Sequence, residues 1–205
     1  LWDSGKIESS QCINIEYNGV VLKSGERCWW KVCVWDQEDI QSVYSNPGYF
    51  ETGLLNEHEW EGQWIAAEEY TKSPMLRKDF TLDKEIRSAR VYISGLGYYE
   101  LYLNGNKVGD HVLDPGWTDY GEREMKDLLY PFDDKTTKRV MYVTYDITDY
   151  LKTGMNTAGI MLGNGWYNQK ERTVEGKLWY GHPRVIMQIQ IEHSDLSRMS
   201  IVSDN

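Results

Sequence analysis

The stretch Ala89-Arg90-Val91-Tyr92-Ile93-Ser94-Gly95-Leu96-Gly97-Tyr98-Tyr99-Glu100-Leu101-Tyr102-Leu103-Asn104-Gly105-Asn106 decides how this chain folds. Ala89, Val91 and Ile93 alternate with polar neighbours, Gly95-Leu96-Gly97 interrupts, and Tyr99, Leu101 and Leu103 resume the two-residue period of a strand with one buried face. Asn104-Gly105 then closes a hairpin, because Asn-Gly readily takes the positive φ angles of a type I′ turn. Lys107-Val108-Gly109-Asp110 reads as the short return strand. Further on, Asp146-Ile147-Thr148-Asp149-Tyr150-Leu151 is expected to form one helical turn capped by Asp146 or Thr148. Strands are expected over Thr157–Leu162 and Arg184–Glu192, the latter with Val185, Met187, Ile189 and Ile191 inward. No helical period is long enough for a buried helix, and no repeat of 20–50 residues occurs. The region from residue 56 to 205 therefore reads as an antiparallel β-sandwich of jelly-roll type.

Upstream, Cys28, Trp30, Val32 and Val34 lie at every second position and predict a half-buried strand. Trp35-Asp36-Gln37-Glu38-Asp39 is a polar turn, and Ser42–Ser45, Asn46-Pro47-Gly48 and Tyr49-Phe50 continue the rhythm of short strands and punctuation. Residues 1–55 are thus read as part of an immunoglobulin- or fibronectin-like sandwich. A complete one needs ~100 residues, so this one is expected to be cut at its front. A chain that opens on Leu1 is likewise expected to begin inside a longer protein. Of the three cysteines, Cys28 and Cys33 on one strand would be about 16 Å apart on opposite faces, too far to bridge. Cys12 could reach Cys28 across two strands, but three buried thiols are the favoured expectation.

Lys and Arg number 22 against 32 Asp and Glu, a formal charge of −10, which leaves no basic footprint for nucleic acid or an anionic membrane. No apolar run approaches the ~20 residues of a membrane span. With 15 Tyr and 9 Trp the chain is too aromatic for a solvated coil.

A catalytic centre is hard to assemble from these residues. His58, His111, His182 and His193 lack metal-ligand spacing, and neither a Cys-x-x-Cys nor a nucleophile elbow is present. Two of Asp110, Asp114, Asp119, Glu122 and Glu124 could flank a glycosidic bond, but a chain of this composition carries acids on any surface. More suggestive are Asp114-Pro115-Gly116-Trp117-Thr118-Asp119-Tyr120 and Gly163-Asn164-Gly165-Trp166-Tyr167-Asn168, each placed just beyond a strand, with Trp179-Tyr180-Gly181 a third such group. A sugar offers apolar C–H faces and a fringe of hydroxyls, which aromatic rings and Asp or Asn side chains match. The candidate carbohydrate contacts are therefore Trp117, Asp119, Tyr120, Asn164, Trp166 and Tyr167. For any single aromatic the competing reading, a core plug whose indole N–H bonds a nearby carbonyl, is the favoured one. The charged stretch from Gly121 to Arg139 reads as a solvated loop or hairpin, with a lid as the alternative.

Taken in order, these motifs resemble the N-terminal domain of bacterial α-L-rhamnosidases. The resemblance rests on Arg90–Leu101, Leu103–Asp110, Leu113–Tyr120, Thr144–Thr148 and Leu162–Tyr167. Trp30–Asp36 and Phe50–Leu55 resemble the end of the fibronectin-like module that precedes that domain. The resemblance implies a jelly-roll (galactose-binding-like) domain, and leaves open whether a closing strand follows Asn205. It also implies a modular, inverting glycoside hydrolase that releases terminal L-rhamnose from glycosides or plant polysaccharides. The acid and base carboxylates of such enzymes sit on a separate C-terminal helical barrel, so no catalytic residue carries over to this chain. A periplasmic or secreted bacterial parent is implied as well. Gly121–Lys138 departs from the pattern as an insertion. Some rhamnosidase sandwiches bind rhamnose with calcium, but no patterned calcium loop is visible and no metal or other cofactor is expected. Two functions follow as expectations. One is a non-catalytic segment that supports the barrel and lends aromatics to the substrate rim; the other is an autonomous module that binds rhamnose-containing glycans.

Overall fold

The computed structural model describes residues 2–9, 15–68, 71–118, 120, 140–169 and 180–204. Two compact units divide the chain, Leu1–Glu59 and Trp60–Asn205.

In the first unit β1 (Arg27–Trp30) and β2 (Gly48–Glu51) pair antiparallel, with Trp30 opposite Gly48. The ladder stops at Trp30 for a local reason. Ser45 and Ser42 place their hydroxyls where strand carbonyls would stand and accept from the amides of Val32 (3.1 Å) and Val34 (3.0 Å). The intervening turn is held by Asp36, whose Oδ1 accepts from the amides of Glu38 and Ile40. The expected burial of alternate residues fails here. Cys28 is half-buried, whereas Trp30, Val32 and Val34 are each more than half exposed, because the described residues of this unit supply a two-stranded sheet and no second layer over it. The thiols of Cys28 and Cys33 are free, and half-buried rather than buried; Cys12 lies outside the described residues.

The second unit is an all-β sandwich. One sheet contains β4 (Ile86–Leu96), β7 (Val143–Asp146), β9 (Arg184–His193) and β10 (Arg198–Val202); the other contains β3 (Met75–Leu82), β5 (Tyr98–Leu103), β6 (Asn106–Lys107) and β8 (Gly154–Gly163). Both are antiparallel, in the orders β10-β9-β4-β7 and β3-β8-β5-β6. Val91 faces Ile189 across the β4–β9 ladder and Leu101 faces Ile160 across β5–β8, and all four are buried in one core. The hairpin at Asn104-Gly105 has positive φ at both residues (51° and 84°), as a type I′ turn requires. Its return strand is shorter than expected, ending at Lys107. The helical turn is the 3-10 turn Thr148–Tyr150; its N-cap is Ile147, without a side-chain cap bond, instead of the expected Asp146 or Thr148, although Asp146 Oδ1 accepts from the Thr148 amide at 3.1 Å. The expectation for Gly121–Lys138 lies outside the described residues.

The outer side of the first sheet is covered by the segment entering the sandwich. Gln188 points outward from β9 yet is 0% exposed, since its Oε1 accepts from the Glu61 amide at 2.6 Å. A Cβ on Gly62 would lie 2.7 Å from the Met187 carbonyl, so only glycine lets the chain pass this close. Ser203 fastens the next residue. Its carbonyl accepts from the Gln63 amide, and its hydroxyl donates to Gln63 O while accepting from the Met187 amide.

Truncating this core has a measurable cost. Ile189→Ala should lower unfolding stability by about 2–5 kcal/mol in urea, while Val43→Ala, at a side chain 91% exposed, should change it by less than about 0.5 kcal/mol. The β9–β10 turn should show a pH signature. Lys84 first, and Ser197 through its hydroxyl and amide, hold the Asp195 carboxyl well below the usual carboxylate range. A depressed folded pKa stabilises above the unfolded value and is lost as pH falls through the folded one. The melting temperature of Asp195→Asn should therefore lie below the unsubstituted protein's at pH 7, and the gap should close as pH drops below about 4.

Candidate functional site

Three connections meet at one end of the sandwich. They are the β4–β5 turn, the segment following β8 and the loop 109–118 after β6. Gly97 makes the first possible. Its φ is +108°, and a Cβ there would stand 2.3 Å from the Gly163 carbonyl at the end of β8. Tyr98, opposite Gly163, covers Gly165, whose φ is +49° and whose added Cβ would lie 2.9 Å from the Tyr98 ring. The segment after β8 then curls on itself: Asn168 donates from its amide to Asn164 O (3.2 Å) and from Nδ2 to Asn164 Oδ1 (3.0 Å).

This end collects the aromatic residues. Trp117 and Trp166 approach with ring centroids 6.3 Å apart at 46°, and they are 44% and 38% exposed. They are not core plugs. Beside them Tyr120, Tyr167 and Tyr180 form a closed group, Tyr167 stacked on Tyr180 (5.6 Å, 28°) and Tyr120 edge-on to both. Tyr167 is 8% exposed, and burial raises its phenol above the ordinary range. It therefore supports this surface from below instead of presenting a face to solvent. Of the residues singled out in the sequence, the fold brings Trp117 to Trp166 and Tyr120 to Tyr167. Asn164 is engaged by Asn168, and Asp119 lies outside the described residues, as does Trp179.

Tyr145, which sequence reasoning passed over, completes the corner with Asp114 and His111, named there only among the acids and the histidines. Asp114 carries its main-chain oxygen to the Tyr99 amide (3.1 Å) and accepts the Tyr145 hydroxyl on its carboxylate. His111 Nδ1 sits 3.0 Å from the same carboxylate oxygen. Burial first, and the bond to Asp114 second, hold the Tyr145 phenol well above its usual pKa. The Tyr99 hydroxyl is buried beside Tyr145, and desolvation pushes its phenol far upward too. The His111/Asp114 spacing of three was the available signal, obscured because Asp114 counted as one carboxylate among many. Asn168 Oδ1 and Gln169 Oε1 are buried acceptors without a hydrogen-bond partner among the described residues. Calcium needs six to eight oxygens, usually with carboxylates. Among the described residues no group of three His, Cys, Asp or Glu gathers to hold a metal. What the corner can do is stack an apolar ring face and accept hydroxyl protons.

The turn that builds this end is testable by one methyl group. Gly97→Ala should destabilise the sandwich by about 2 kcal/mol or more, and Gly116→Ala, where an added Cβ meets nothing within 4 Å, by less than about 0.5 kcal/mol in chemical denaturation.

Comparison with known proteins gives a consistent result. The family model for the alpha-L-rhamnosidase N-terminal domain matches residues 84–205, and that for the Rha78A-like N-terminal immunoglobulin domain matches residues 1–56. An alpha-L-rhamnosidase of Formosa agariphila is 37% identical across 100% of this chain, which covers 23% of that protein. The structure of an alpha-L-rhamnosidase from Dictyoglumus thermophilum superposes with a TM-score of 0.81 at 39% identity, over 99% of this chain and 22% of that one. A native rhamnosidase from Aspergillus terreus gives 0.78 at 30% identity, over 97% and 22%. This chain thus spans between a fifth and a quarter of the length of these three relatives. With both of its units matched by models from the same enzymes, the chain belongs to the alpha-L-rhamnosidase family.

Proposed function

We propose that this chain is the non-catalytic β-sandwich segment of an α-L-rhamnosidase that removes terminal L-rhamnose from glycosides or plant polysaccharides. The observation that carries the proposal is the match of the whole chain to rhamnosidases more than four times its length. Hydrolysis would be performed by the rest of the parent, on a helical-barrel domain that this sandwich supports. The parent would act in the periplasm or outside the cell, where such glycosides are met. The proposal calls on no cofactor.

Within that frame the aromatic end would touch the substrate. Trp117 and Trp166 offer half-exposed indoles side by side, which favours a role in holding the sugar or its neighbour in the glycan. The same pair supports a second reading, in which the sandwich binds rhamnose-containing glycans without help from the parent.

Two measurements separate these. The chain by itself should leave p-nitrophenyl α-L-rhamnoside intact while the full-length parent cleaves it; turnover by the chain, or none by the parent, overturns the proposal. Titration of the chain with L-rhamnose, followed by tryptophan fluorescence, decides between support and autonomous binding. If the module binds alone, Trp166→Ala should weaken affinity at least about tenfold with the fold intact. If it does not, no saturable change should appear below tens of millimolar.

A further inference from the structure

Three residues of the loop 109–118 converge on one ring, that of Tyr145 in β7. Gly109 has φ +70°, and a Cβ there would lie 2.6 Å from Tyr145 Cε1, so the loop can pass the ring only because this position is glycine. The His111 imidazole is 5.5 Å from the ring centroid, with Nδ1 3.3 Å from the hydroxyl. Asp114 accepts that hydroxyl. Tyr145 belongs to one sheet and Tyr99, which donates its amide to Asp114 O, to the other. Asp114 is therefore fastened to both layers of the sandwich, by its side chain to one and by its main chain to the other. The side chain is well shielded, which strengthens a bond from a hydroxyl to a carboxylate. Only Pro115 and Gly116 separate this anchor from Trp117. Three residues span at most ~10 Å, so wherever Asp114 is held, the reach of Trp117 is limited to that radius.

We infer that Tyr145 is a positioning residue for the Trp117–Trp166 pair: its hydroxyl, through Asp114, fixes the loop that carries one of the two indoles against the other. The ring contact of Tyr145 is with His111, and that of Trp117 is with Trp166. Tyr145 sets the angle and spacing that a sugar face would meet. The inference rests on the proposal that the pair contacts sugar only for its consequence in binding, not for the geometry itself.

The substitution Tyr145→Phe keeps the ring against Gly109 and deletes the bond to Asp114. Near-UV circular dichroism, read without ligand, should change in the tryptophan region. That change should be absent when the same substitution is made in a Trp117→Phe background. Affinity for L-rhamnose should fall by about tenfold, while far-UV dichroism stays unchanged. Asp114→Asn, which weakens the acceptor and leaves the phenol, should give the same tryptophan change and replaces the first variant if that one does not fold. An unaltered tryptophan signal overturns the inference. So does an equal change in the Trp117→Phe background, which would mean that Tyr145 acts only on general packing. If the unsubstituted protein shows no response to L-rhamnose, the sugar proposal fails alone, and the ligand-free dichroism still decides the role of Tyr145.

Discussion

The constraint on which the second unit depends is the apposition of two aliphatic layers. Ala89, Val91 and Ile93 of β4, with Met187, Ile189 and Ile191 of β9, face Leu101 and Leu103 of β5 and Ala158, Ile160 and Leu162 of β8 across a dry interior. A two-residue period admits no slippage there, because shifting either strand by one residue would turn its whole apolar row to solvent. A polar group that enters this layer must be completely bonded. Asn156 meets that condition. Its Nδ2 donates to the carbonyls of Lys152 and Gly154, and its Oδ1 accepts from the Lys152 amide and from Asn104 Nδ2.

That carboxamide also shows how differently the two ends of the sandwich are finished. At the Asn104–Asn156 end every amide atom is matched, with Asn104 Oδ1 accepting from the Thr157 amide and Nδ2 reaching Tyr150 O. This is the economy of a closed, structural end. At the opposite end Asn168 Oδ1 and Gln169 Oε1 lie buried with no partner among the described residues, and two indoles are left half in water. Exposed large aromatics cost stability, and two of them stand side by side at this end.

How far the sequence disclosed this depends on how local each determinant is. The strands β4, β5 and β9 were legible because their period is written in consecutive residues, and Asn104-Gly105 because positive φ at two adjacent positions is a property of those residue types. The first unit misled for the converse reason. Cys28, Trp30, Val32 and Val34 carry the same period, yet alternation fixes only which residues share a face, not whether another layer covers it. Trp166 and Tyr167 make the point at a single peptide bond. Both are aromatic and both follow β8, but one is half-exposed while the other is stacked under Tyr180, a partner distant in sequence. Tyr145 and Asp114 were hidden for the same reason, since 31 residues separate them and only the closing of the two sheets brings the phenol to the carboxylate.

The electrostatics of the chain argue in the same direction as its architecture. Glycoside hydrolysis needs one carboxyl raised in pKa so that it can deliver a proton near neutrality. Among the described residues, the carboxylates displaced from their ordinary values move the other way. Hydrogen bonds from Ser24, Thr157, Lys107 and Lys84 lower Glu59, Asp79, Glu100 and Asp195 respectively. Each is a carboxylate committed to staying ionised and to tying a turn or a strand pair. Asp114, close to the aromatic end, is likewise engaged, by both Tyr145 and His111. A sandwich so fastened holds its aromatic end in a fixed shape.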